Sequence, residues 1–200
     1  MTTFFNRIFN KDRSQQDHHL AIEAKYSFER SRVDNKLLLA YFEGKLPTSD
    51  DFDLFLQNTL RIGIDDKISL TQECQNLARY IYFYTRLMPS ELKVLYDFPV
   101  EQQNALISPF IFFPMIQNAF HYGYHVGEKY PVRIKVRSLG GSVTFEVSNH
   151  VNHHIKDQSK TEIIQLFKSR LDYEYPDRHD LILNSNSNTF KVSLCLKLMA

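Results

Sequence analysis

The chain has 200 residues, 43% of them hydrophobic, enough for one medium domain with a real core or for a domain plus a helical arm. Its net charge of +1, with both signs mixed along the chain, gives no basic stripe for nucleic acid, and no apolar run is long enough to span a bilayer or to serve as a signal-peptide core. The two cysteines, Cys74 and Cys195, lie far apart and in no metal or redox spacing, which reads as a reduced, cytoplasmic protein.

Residues 1–13 form a tail that puts Phe4, Phe5, Ile8 and Phe9 on one helical face beside Arg7 and Lys11. That pattern suits weak peripheral membrane contact through residues 4–9 or partner docking; an end packed loosely on its own domain is the preferred reading. From Ser14 to Glu43 the apolar positions suit one long helix with a buried stripe, ended by GKLPTS. A shorter helix follows from Asp50 to about Ile64 with Phe52, Phe55, Leu56 and Leu60 inward, so residues 14–66 read as an antiparallel helical pair. Thr71 is the expected N-cap of the next helix, which carries Tyr80, Tyr82, Phe83 and Tyr84 as core or dimer packing. Leu92–Phe98 alternates as a strand.

Ser108 to Gly123, SPFIFFPMIQNAFHYG, contains no Asp, Glu, Lys or Arg. The expected helix starts with Ser108 as N-cap and Pro109 in the first turn, leaving Pro114 inside it, where it implies a kink or a tight neighbour. Asn118 and His121 share a face at i, i+3, and His121 and His125 share one at i, i+4. After it, VRIKV and VTFEV around Gly140-Gly141 read as a hairpin, followed by a helix from about Thr161 to Tyr173 and a strand pair at Asp180–Leu183 and Thr189–Leu198. These periods allow an α+β sandwich with helices on one face of a mixed sheet. His150, His153 and His154 read as a solvated loop and not as a metal site, because H-x-x-H-H lacks a helical i, i+4 pair.

The 108–123 segment resembles the N-box of LytS/YehU-type sensor histidine kinases, P-x-l-l-L-Q-P-L-V-E-N-A-x-x-H-G, at Pro109, Pro114, Asn118, Ala119, His121 and Gly123. The similarity extends to Leu70, Glu73, Tyr80 and Arg86 in the preceding helix and to the final helix and hairpin, about the last two thirds of the chain. It implies a Bergerat-type ATPase fold over residues 67–200, behind a dimerisation-hairpin-like unit at 14–66. Such kinases commonly follow membrane-spanning sensor segments; this chain starts after that point, so its signal is expected from a partner or the cytosol.

The family's chemistry is absent from the matching positions. No histidine lies between His19 and His121, and Asp34, Asn35, Lys36 and Leu37 stand where the family has N-P-H-F, which puts Lys36 at the phosphoacceptor position. Gln117 replaces the N-box carboxylate, so neither a proton acceptor nor a counter-charge for Mg²⁺ remains there. Where the family has D-N-G-x-G this chain reads Ser148, Asn149, His150, Val151 and Asn152, so Ser148 replaces the adenine-binding Asp, and no glycine follows Gly141. Gln117, Asn118, His121, Ser148 and Asn149 are therefore expected as the remnant of a nucleotide site with no catalytic residue, no metal and no cofactor. The expected role is a degenerate histidine-kinase-like protein that pairs with itself, with an active kinase or with a response regulator. The rival readings are a working kinase holding Mg-ATP with Asn118 and Asn149, and a small-molecule sensor using the vacated pocket.

Overall fold

A computed structural model describes residues 2–46, 50–88, 90–99, 105–155 and 157–198; of residues 2–14 and 50 it describes the backbone alone. The sequence expectation about Phe4 to Phe9 lies outside the described side chains. The elements in order are α1 (Thr2–Arg32), α2 (Asn35–Phe42), α3 (Asp50–Arg61), β1 (Ile68–Ser69), α4 (Leu70–Leu87), β2 (Leu92–Asp97), β3 (Leu106–Ile107), α5 (Phe113–Tyr122), β4 (Gly127–Leu139), β5 (Ser142–His150), a 3₁₀ turn (Gln158–Lys160), α6 (Glu162–Glu174), β6 (His179–Ser185) and β7 (Thr189–Lys197).

Five strands make one mixed sheet in the order β2-β4-β5-β7-β6, with β2 parallel to β4 and every other pair antiparallel. Strict alternation sorts its two faces: Val132, Ile134 and Val136 of β4 and Val143, Phe145 and Val147 of β5 are buried under the helices, while Arg133, Lys135, Arg137 and Thr144 face solvent. Gly140 and Gly141 take the positive φ values the hairpin turn requires. Phe112 stacks on Phe145 at 4.8 Å, joining the entry to α5 to the sheet.

The long helix expected over 14–43 is two helices. Asp34 takes an extended conformation (φ −80°, ψ 113°) and accepts hydrogen bonds from Lys36 N and Leu37 N, so it ends α1 and starts α2. α2 and α3 form a helical hairpin, tied by the Tyr41 hydroxyl to Asp53 at 2.6 Å and by Tyr41 packed on Phe52. Arg32 donates to the Leu60 and Ile62 carbonyls and so brings the end of α3 to the end of α1. Phe52 and Phe55 are buried as expected, but Leu60 is half exposed. These helices share the sandwich's core. Phe52 and Phe55 both pack on Phe83 of α4, and α1 lies along α6 through Glu23 with Ser169 and Arg30 with Glu162.

Two helix starts also differ from expectation. Ser69, not Thr71, caps α4, accepting from Gln72 N, because the short β1–β3 pairing holds the chain extended up to Ser69. Residues 108–112 are a buried turn outside α5, so Pro114 sits in the helix's first turn, where its missing N–H costs nothing, and kinks nothing.

Candidate functional site

The turn before α5 is shaped by charges from distant elements. Phe110 has φ +56°, a conformation a bulky residue adopts only when its surroundings impose it. Glu73 of α4, fully buried, accepts from Phe110 N at 2.8 Å and Phe112 N at 3.4 Å. Arg170 of α6, also fully buried, donates to the Pro109 and Phe110 carbonyls and pairs with Glu174 at 2.7 Å. The Tyr175 hydroxyl accepts from Ser108 N, and Lys67 donates to the Ser108 hydroxyl. Burial pushes the Glu73 carboxyl up to about 7, against the pull of the two backbone donors and Arg170.

α5 then presents its polar stripe. Asn118 is buried, and its Oδ1 accepts from the Thr161 hydroxyl at 2.7 Å, while its Nδ2 has no protein partner. Asn149 of β5 exchanges side-chain amide hydrogen bonds with Gln158 at 3.2 and 3.3 Å and also donates to the His150 carbonyl. Both partners, Thr161 and Gln158, come from the short segment that links β5 to α6. The helix end reaches β5 closely because residue 123 is glycine: a Cβ there would lie 2.5 Å from the Ala119 carbonyl and 2.8 Å from Asn149 Nδ2.

The other flank of α5 meets α1. Gln117 donates to the Ser31 carbonyl at 3.0 Å and the Arg30 carbonyl at 3.4 Å, at the last turn of α1. His121 Nε2 lies 3.1 Å from Asp34 Oδ2, which also accepts from the Tyr80 hydroxyl at 2.6 Å. Burial raises the Asp34 carboxyl, but His121, Tyr80 and the Leu37 amide outweigh it and hold it below the usual carboxylate value. Asp34 is thus a buried hub joining α1, α2, α4 and α5. Its signal in the sequence is the Asp-Asn pair directly before an apolar helical run, an N-cap pattern. Nothing local identifies Tyr80, Gln158 or Thr161 as its neighbours or those of the α5 amides.

The site residues expected from sequence thus fall into three places. Asn118 and Asn149 sit under the β5–α6 segment, and Gln117 and His121 border the α1–α2 break. Ser148 lies on the opposite face of the sheet, between Arg133 and Lys191, because alternation turns Asn149 inward and Ser148 outward. Lys36 is exposed in the first turn of α2. His125 lies beyond the end of α5, so it does not share a helix face with His121; it bonds the Phe120 carbonyl instead. A cleft of about 210 Å³ opens between the last turn of α1 and α5, lined by Ser27, Arg30, Ser31, Asp34, Gln117 and His121 among others. Pockets for drug-sized ligands start near ~300 Å³. Among the described residues no cluster of His, Cys, Asp or Glu is placed to hold a metal ion, and no helix is long and apolar enough to cross a membrane.

The histidine kinase domain of the Erythrobacter litoralis EL346 blue-light activated histidine kinase matches this structure with a TM-score of 0.50 and 10% identity, over 92% of this chain and 94% of that domain. The fold is that of a histidine kinase catalytic domain. The longer EL346 structure matches with a TM-score of 0.51 and 9% identity over 92% of this chain, which spans 59% of that one. The Acinetobacter baumannii histidine kinase AdeS is a further neighbour, with a TM-score of 0.49 and 6% identity over 82% of this chain and 93% of that one. No protein-family model and no curated protein matches the sequence. In this chain the mixed sheet with α4, α5 and α6 on one face is the scaffold, and α1 lies against α5 and α6.

Proposed function

We propose that this protein is a catalytically degenerate relative of the LytS/YehU-type kinases that acts in two-component signalling by binding: to itself, to an active kinase or to a response regulator. The observation that supports this reading is that the Asn118 carbonyl oxygen and the amides of Gln117 and Asn149 are engaged within the protein. Asn118 Oδ1 is taken by Thr161, the Gln117 amide is bonded to the α1 backbone, and Asn149 is paired with Gln158. Magnesium and triphosphate call for carboxylate or free carbonyl oxygen and for a loop of backbone donors. The residues present do not fit them: Gln117 carries no charge, and the segment from Val151 to Thr161 contains no glycine to fold around phosphates. Lys36 at the acceptor position is no substitute for a phosphorylatable imidazole.

Titration calorimetry with Mg-ATP tests this reading, with no binding expected up to millimolar nucleotide. Micromolar binding abolished by Asn118→Ala, or labelled phosphate appearing on the isolated chain, overturns it. One observation favours a second reading, in which the site takes another small ligand: Asn118 Nδ2 is a buried donor without a protein partner. A metabolite screen read by thermal shift separates the two, since a specific ligand raises Tm in the native protein and not in Asn118→Ala.

A further inference from the structure

The sheet has two edges, and they are not alike. β2, at one end, carries Lys93 and Asp97 and a register shift between Leu92 and Val94, devices that discourage further pairing. β6, at the other end, is hydrogen-bonded among the described residues to β7 alone. Its register with β7 is continuous from His179 to Ser185, and Leu181 to Ser185 contains no proline, lysine or arginine.

The phase of the β6–β7 ladder shows which backbone groups are free. Lys197 N donates to the Arg178 carbonyl and Asn186 N to the Thr189 carbonyl, so the even-numbered residues of β6 bond to β7. The N–H and C=O groups of His179, Leu181, Leu183 and Ser185 therefore point away from the sheet. The side chains divide the other way. Leu181 and Leu183 pack toward the core, while Asp180, Ile182 and Asn184 stand on the open face, where Ile182 is 62% exposed.

We infer that β6 pairs antiparallel with β6 of a second copy about a two-fold axis through Ile182, continuing the sheet across the dimer. The self-complementarity of the strand argues for this occupant. In that register Ile182 meets its own symmetry mate, Asp180 faces Asn184 of the second copy, and His179 faces Ser185. No like charges oppose one another. Leu181 pairs with Leu183, so each outward N–H finds a carbonyl. This surface lies on the sheet, away from the α2–α3 hairpin and from Asn118, and does not depend on the proposed loss of nucleotide binding.

Sedimentation velocity on the full chain without nucleotide, from low micromolar to several hundred micromolar, tests it. A concentration-dependent monomer–dimer equilibrium is expected. Ile182→Lys sets two like charges opposite each other and is expected to weaken the dimer by at least about tenfold. An equimolar mixture of Ile182→Lys and Ile182→Glu restores it as a heterodimer. Ile182→Cys in a Cys195→Ser background is expected to form an interchain disulfide under mild oxidation, since residue 182 faces itself. Three outcomes overturn the proposal: monomer at every concentration, an open polymer indicating β2–β6 pairing, or a dimer untouched by Ile182→Lys and lost in Phe42→Ser, which would place association on α2.

Discussion

Replacing Asp34 by alanine removes every contact of the hub at the α1–α2 break. The loss has three parts. The N-cap bonds to Lys36 N and Leu37 N are worth about 1 kcal/mol. The Tyr80 hydroxyl, held at 2.6 Å in a fully buried environment, is left without an acceptor at a cost of about 1–3 kcal/mol. The bond to His121 adds less, because that ring is partly exposed. Relief of the carboxylate's own burial offsets some of this, so a net destabilisation of about 3 kcal/mol is expected. With an m-value of ~2.5 kcal/mol/M in urea, the unfolding midpoint falls by just over ~1 M. Tyr80→Phe supplies the control. It removes the hydroxyl that Asp34→Ala would orphan, so the double variant should be more stable than the sum of the singles by about 1–2 kcal/mol. A loss under ~0.5 kcal/mol for Asp34→Ala with unchanged m, or strict additivity in the cycle, refutes the hub.

Asp34 also predicts acid sensitivity. Its carboxyl is held below the ordinary value of 3.8, so its contribution is complete above that pH and is lost as pH falls through the folded-state value; Asp34→Asn should flatten the stability curve in that window. Glu73 acts in the opposite sense. With its carboxyl raised from 4.5 to about 7, the folded state holds a proton the unfolded chain releases, so stability falls by the order of 3 kcal/mol as pH rises across that range, and the slope disappears in Glu73→Gln. Gly123→Ala forces a methyl against the Ala119 carbonyl and the Asn149 amide, and calorimetry should show Tm lower by about 3–10 °C. Thr161→Val removes the donor to Asn118 Oδ1 and should cost about 1–2 kcal/mol in urea unfolding without creating Mg-ATP binding.

Much of the fold is written in local pattern. The β4–β5 hairpin follows from two alternating runs around Gly140-Gly141, although its strands extend beyond those runs to Gly127–Leu139 and Ser142–His150, and α6 follows from its apolar spacing to within a residue at each end. The resemblance of residues 108–123 to an N-box rests on the spacing of their prolines, amide, histidine and glycine alone. What the motif could not convey was where its helix begins. Pro114 looked interior because residues 108–112 are apolar and helix-compatible, yet they turn instead.

The sequence by itself determined the alternation that builds the sheet, the apolar face each helix buries and the absence of charge along α5, since these depend on neighbours within a few positions. Tertiary structure alone decided the turn ahead of α5, whose shape is imposed by Glu73 from 37 residues upstream and Arg170 from 60 downstream. It also decided the break at Asp34, where a carboxylate that could have sat in a continuous helix is instead buried against Tyr80, 46 residues away, and His121, 87 away. The reason is the same in each case. A buried charge or unpaired backbone group costs more than a turn of helix gains, and its partners come from elements that no local window contains.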